Sequence, residues 1–245
     1  MINGNSIRRL FTVLLLGLFA LPATALNFVP TEAEWLAWSD QCRARYMASN
    51  AGAKSKYRGR VNSATVSAWK AKMGPSLWLH MHHACAGQVH FNRARTAASS
   101  SERNREIKTA ISDHNYTLSK TTNQNNWYAY FAVSLAQIYR YQEEYDKAIA
   151  LVSPFTDTNP AYEAPYLQWS LVLRDQDKLS AAIAVLENGN SATEGKSMEI
   201  HYFLGLNYHQ KGMYDLSLQH AKAAYKLGYP LPGLKNKLMR SGHWE

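Results

Sequence analysis

The clearest signal along the chain is a repeat of small and apolar positions in its C-terminal half. Leu135, Ala136 and Tyr139 are matched by Trp169, Ser170 and Leu173, and again by Leu204, Gly205 and Tyr208. A small residue follows each set, at Ala148, Ala182 and Ser217, with spacings of 34 and 35 residues. Tyr145-Asp146 and Tyr214-Asp215 open the second half of the first and last units, and Gly212 marks a turn between halves. A fixed period of this length is the sign of a stacked helical-repeat architecture. Small side chains at the facing positions let the two helices of a unit touch, and the larger apolar residues fill the space between units.

Upstream the pattern loosens. A helix is expected over Trp78–Ala94, with Gly87 at its small position, and a second over Glu102–Leu118 around Ala110. Gly87 and Ala110 stand 23 residues apart rather than 12, which predicts a longer turn through the small residues Thr96–Ser101. Thr31 and Glu34 form a capping-box pattern ahead of Trp35, Trp38 and Cys42, predicting a helix over about 32–48. Residues 49–66, rich in Gly, Ser, Asn and Lys, read as an exposed basic loop before a short helix over 66–73. At the other end Gly228 to Gly233 breaks the last unit, and Leu234–Arg240 forms a closing helix.

These residues resemble the tetratricopeptide repeat, a helix-turn-helix unit with Gly or Ala at position 8, Tyr at 11, Ala at 20 and 27, and Pro near 32. Ala136, Tyr139, Ala148 and Pro160 fit the first unit, 129–162; Ser170, Ala182 and Gly189 fit the second, 163–196; Gly205, Tyr208 and Ala224 fit the third. The middle unit lacks the closing Pro, and Ser217 replaces Ala in the last. The resemblance implies an all-α, right-handed helical-repeat solenoid with capping helices, built as an N-terminal cap with a degenerate unit over 26–128, three units over 129–230 and a C-terminal cap over 231–245. It also implies a scaffold whose first helices line a groove at positions 2, 5, 9, 12 and 13. Here those positions include Tyr130, Tyr202, Gln137, the trio Arg140, Arg174 and His209, and Tyr141. The trio at position 12 is expected to form a ladder of positive charge for an extended acidic ligand or peptide carboxylate. Leu171 and Leu206 at position 9 depart from the Asn clamps of chaperone-binding members. The residues around 80–94, together with the ending Leu227-Gly228-Tyr229-Pro230-Leu231-Pro232-Gly233-Leu234 and Gly242-His243-Trp244, resemble periplasmic repeat proteins of Gram-negative bacteria associated with envelope polysaccharides.

Arg8 and Arg9 precede an apolar run from Leu10 to Leu21, too short to span a bilayer, followed by Pro22, Ala23 and Ala25. Residues 1–25 are therefore expected to be a signal peptide cleaved after Ala25, which places the mature chain in the periplasm or outside the cell, not spanning a membrane. No cysteine follows the apolar run, which argues against a lipid anchor. Only Cys42 and Cys85 are present, an even number expected to pair in an oxidising compartment.

Charge is unevenly placed. Residues 27–120 carry 14 Lys/Arg against 6 Asp/Glu, whereas 121–245 carry 11 against 12. A basic half in an exported protein points to an acidic polysaccharide, anionic lipid headgroups or an acidic envelope protein as partner, and away from nucleic acid. The sharpest candidate chemistry is the cluster His80, His83 and His90, whose imidazoles sit at spacings that place a metal-binding or redox module as the alternative reading. Against it, Cys85 is expected to be consumed by the disulfide, and no carboxylate stands at ligand spacing in the sequence. There is no nucleophile elbow, phosphate-cradling glycine loop, haem-attachment motif or zinc-hydrolase motif, so no catalytic function and no cofactor are expected.

Overall fold

A computed structural model describes residues 28–122 and 126–244; the expected signal peptide lies outside the described residues. All regular structure among them is helical. Helix α1 (Glu32–Ala37) starts with the expected capping box: the Thr31 hydroxyl accepts from the Glu34 N–H, and the Glu34 carboxylate accepts from the Thr31 N–H at 2.7 Å. It does not run on to residue 48. Trp38 takes an extended backbone, and a second helix, α2, spans Asp40–Met47. The break buries the Trp38 indole to 2% exposure, where its Nε1–H donates to the Cys85 carbonyl at 2.8 Å.

The expected loop over 49–66 is likewise more structured than its composition implies. Helix α3 spans Asn50–Lys54, and Tyr57 is fully buried, its ring stacked on Trp35 at 4.4 Å and its hydroxyl donating to the Pro30 carbonyl. Helix α4 (Ser63–Met73) starts three residues before the expected position because the Asn62 side chain caps the Thr65 N–H. A broken pair follows, α5 (Pro75–His80) and α6 (His82–Thr96), in place of one continuous helix from Trp78. The Cys42 and Cys85 sulfurs are bonded, tying α2 to α6.

Helices α6 and α7 (Ser100–Ser119) form the longest hairpin, and the 23-residue spacing has a different origin from the one expected. The turn is only residues 97–99; the helices themselves are longer. With about 3.6 residues per turn, α6 extends about one turn further past Gly87, and α7 about two turns further ahead of Ala110, than the matching helices of the next unit. Whole turns keep the small positions opposed. A Cβ on Gly87 would lie 2.4 Å from His114 Nδ1 and 3.1 Å from the Ala110 carbonyl oxygen. Only glycine allows that approach.

Three hairpins follow. The first pairs α8 (Asn126–Tyr141) with α9 (Tyr145–Val152), a short helix ended before Pro154 and followed by α10 (Phe155–Thr158). The second pairs α11 (Ala164–Asp175) with α12 (Leu179–Ala192), the third α13 (Met198–Gln210) with α14 (Tyr214–Lys226), and α15 (Gly233–Arg240) closes the array on Leu234 and Leu238. Ala136, Ser170 and Gly205 face Ala148, Ala182 and Ser217, all buried as the period requires. Ser217 is accommodated because its hydroxyl donates to the Gly205 carbonyl at 2.8 Å. The missing proline of the middle unit has a backbone cause: Glu194, at position 32, has φ 54° and Gly195 φ 67°, a region closed to proline. The chain thus forms an all-α, tetratricopeptide-like helical-repeat solenoid behind an aromatic N-terminal cap.

Each hairpin turn also repeats one backbone feature. Glu143, Asp177 and Gly212, all at position 15, have φ of 59°, 58° and 76°. In the last hairpin the buried His201 donates Nε2–H to the Gly195 carbonyl, which leaves its Nδ1 to accept from His220 Nδ1–H at 2.8 Å. Burial and the neighbouring His201 push the His220 pKa down to about 4, so His220 is held neutral at pH 7.

Candidate functional site

The first helices α6, α8 and α11 lie side by side and leave a groove of about 670 Å³ between them. Phe91 and Arg95 of α6, Gln137 and Tyr141 of α8, and Gln168 and Leu171 of α11 line it. A second recess of about 320 Å³ shares Phe91, Arg95 and Gln137 and reaches under the N-terminal cap to Ser39, His114 and Tyr130. The two form one channel across three helices. Its walls combine aromatic rings, carboxamides and a guanidinium, the mixture that lies flat against an extended polar chain. Gln168 is 3% exposed, and its Nε2 has no hydrogen-bond partner among the described residues.

Of the residues expected to line a groove, Tyr130, Gln137, Arg140 and Tyr141 do so. The position-12 ladder is not a row of free donors. Arg140 forms a bidentate pair with Asp175 at 2.6 and 3.2 Å, Arg174 donates to Gln210 at 3.5 Å, and His209 Nε2 meets Ser241 at 3.3 Å. Asp175 and Gln210 both stand at position 13 of the following unit. The rung extends back to the degenerate unit, where Phe91 packs edge-on against Tyr141 with centroids 5.5 Å apart. Position 12 therefore reaches toward the next element of the array in each unit, by a bidentate ion pair at Arg140 and by single longer contacts at Arg174 and His209. Tyr202 is also corrected: it is 8% exposed and stacked on Tyr229 at 4.0 Å, part of the C-terminal core.

The histidine cluster does not converge. His80 Nδ1 meets the Tyr116 hydroxyl at 3.1 Å, His83 donates to Asp113 at 2.8 Å, and His90 donates to Glu106 at 2.6 Å. All three partners lie along α7, so the imidazoles are spread over the hairpin interface, each with its own partner. Among the described residues no three His, Cys, Asp or Glu side chains are grouped to hold one ion. Burial, then Lys120 and His83, lowers the His80 pKa.

Neither a family model nor a curated protein matches the sequence. Among solved structures the chain is similar to a crystal structure of MamA, at 17% identity and TM-score 0.42, over 60% of this chain and 88% of that one. It is similar to MamA from Desulfovibrio magneticus RS-1 at 14% identity and TM-score 0.43, over 64% and 86% of the two chains. A thermophilic tetratricopeptide repeat protein of Thermus thermophilus, TTC0263, shows 16% identity and TM-score 0.46, over 69% and 95%.

Sequence reasoning missed Phe91 and Arg95 because it carried the groove positions only through the regular units, and Gln168 because position 6 is not among those positions. The signal was present for Arg95: the long spacing between Gly87 and Ala110 encodes the extra turn of α6 that brings this residue to the groove.

Proposed function

We propose that the protein is an exported scaffold that holds an extended segment of an envelope protein in the groove between α6, α8 and α11. The observation that carries this reading is Gln168, a buried carboxamide in the lining whose Nε2 lacks a partner among the described residues. An unpaired buried amide costs about 1–3 kcal/mol, a cost offset when a ligand supplies an acceptor. An extended peptide presents carbonyl and N–H groups along its length, the complement of Gln137 and Gln168 on neighbouring helices. Export is supported by the Arg8-Arg9 leader pattern and by the bonded Cys42 and Cys85, since disulfides persist in oxidising compartments. Among the described residues no helix is long and apolar enough to cross a membrane.

Gln137 is exposed, so Gln137→Trp fills the groove without disturbing the core. Photo-crosslinking in the intact envelope, followed by mass spectrometry, should lose its partner bands in this variant while the helical content and melting temperature stay unchanged. An unaltered set of crosslinked partners would sink the groove reading. A second reading, capture of an acidic exopolysaccharide during assembly or export, draws on one observation: residues 41–101 contain ten Lys/Arg and no Asp/Glu. Retention on immobilised polygalacturonate that falls steeply with salt would favour it.

A further inference from the structure

The geometry points to Arg95 as the residue that sets specificity in this groove, by seating a carboxylate side chain of the bound segment. The inference rests on the groove reading above and names the chemistry of its ligand.

Four other arginines packed against the N-terminal cap and α6 are held by partners. Arg93, two residues before Arg95, is held by both oxygens of Glu34 at 2.6 and 3.2 Å. Arg43 pairs with Asp40 and Arg60 with Glu32, while Arg45 donates to the carbonyls of Trp78 and Leu79. Within the groove the Arg140 charge is paired with Asp175 through Nε and one terminal nitrogen. Arg95 has no carboxylate among the described residues; its guanidinium lies over the Phe91 ring, 6.0 Å from the centroid. A guanidinium resting on an aromatic face keeps its edge donors available for a planar acceptor.

Its position makes that edge useful. Arg95 sits in the last turn of α6, at the junction where the groove and the recess meet, and lines both. The side chains that share the recess with it include Gln88, Asn92 and Gln137, and no carboxylate lines that recess. The groove lining also holds Glu143, on the exposed turn after α8, and the paired Asp175 on α11. The groove therefore offers an available cation on α6, where a carboxylate of a bound segment can be seated. A segment lying across it is oriented with its acidic side chain at α6. The carboxamides favour a peptide over a sugar acid, because each offers one donor and one acceptor in a plane, the complement of a peptide group.

The test is selection of random 12-residue peptides displayed on phage against the full oxidised chain, followed by fluorescence anisotropy of the recovered sequences. Asp or Glu should be enriched at one position. Arg95→Ala should weaken the selected peptides about ten- to a hundredfold, the range for a charge-assisted pair. Arg105→Ala, on the far helix of the hairpin, should leave them unchanged. Selection against Arg95→Glu should shift the enrichment from acidic to basic residues. Arg95 is exposed, so both variants are expected to fold, which an unchanged melting temperature verifies. Peptides that lose binding in Gln137→Trp but show no acidic preference and ignore Arg95→Ala overturn this assignment while leaving the groove reading intact. Peptides indifferent to Gln137→Trp overturn the groove reading itself. Binding of oligogalacturonate that needs Arg95, with no peptide recovered, overturns the peptide as ligand.

Discussion

The two halves of the molecule bury their apolar surface in different ways. From Trp35 to α8 and Phe155 the buried residues form one contiguous core, rich in Trp and Tyr and crossed by the Cys42–Cys85 bond. Beyond it the core divides into small clusters, one around Ala136 and Ala148, one around Leu186 and Leu204, one around Leu234 and Leu238. The first half behaves as a small globular domain and the second as a stack in which each hairpin depends on its neighbours. Helix α8 belongs to both, with Phe131 and Leu135 in the large core and Ala136 in the first of the small ones. The groove sits at this junction, where a firm wall meets a repeating one.

The sharpest way to break the contrast is to cut the staple. Cys42→Ser with Cys85→Ser should lower the stability of the N-terminal core by about 4 kcal/mol in the chain-entropy account, and hydrogen exchange should show α2 and α4 opening before α13 and α14. Equal loss of protection in both halves would mean that they unfold as one unit.

Glycine contacts come next. Gly87→Ala should cost about 2–3 kcal/mol, because the new methyl meets the His114 ring and the fixed Ala110 carbonyl. Gly205→Ala should cost less, about 1–2 kcal/mol, since its nearest neighbour at 2.4 Å is the end of the Leu234 side chain, which can shift with the closing helix, and the Ser217 carbonyl oxygen is 3.3 Å away. Urea unfolding of the two variants reads the difference directly.

Acid should act on both halves through separate groups. His220 is held down to about 4 by burial and by His201, and burial also lowers the pKa of His114, in the long hairpin. Groups depressed in the folded state bind a proton more readily once unfolded. The stabilising share of both is complete above the ordinary histidine value of about 6.5 and declines as pH falls below it, for His220 over the range down to about 4. His220→Gln should flatten this dependence in the C-terminal hairpin alone, measured by residue-resolved hydrogen exchange between pH 7 and 4.5.

The smallest effect has the opposite sign. Glu143→Gly or Asp177→Gly should raise the melting temperature, each by the equivalent of about 1 kcal/mol or less, because position 15 of each of the three regular units takes a left-handed backbone. Gly212→Ala should lower it by a similar amount.

Much of the repeat half was legible because its determinants are local. The spacing of Ala148, Ala182 and Ser217 reports helix contacts that recur every unit, and the structure places all three in the buried seams. The cap was less legible because its determinants are distant in sequence. Nothing near Trp38 announces that it will leave the helix to reach the carbonyl of Cys85, 47 residues away, nor does the composition around Tyr57 reveal that the ring stacks on Trp35. The position-12 residues do form a series, as their spacing predicts, but they are not free, since their partners sit one unit further along. Asp113 and Glu106 were invisible as histidine partners for the same reason: pairing across a hairpin depends on how far each helix runs before it turns.

The rungs from position 12 to position 13 have a mechanical meaning. They tie successive first helices at the ends nearest their hairpin turns, in the way that stitches close one edge of a folded sheet. An array sewn along a single edge resists splaying there and yields at the opposite border. When the hairpins flex against one another they open like the pages of a bound book, with the row Phe91, Arg140, Arg174 and His209 as the spine.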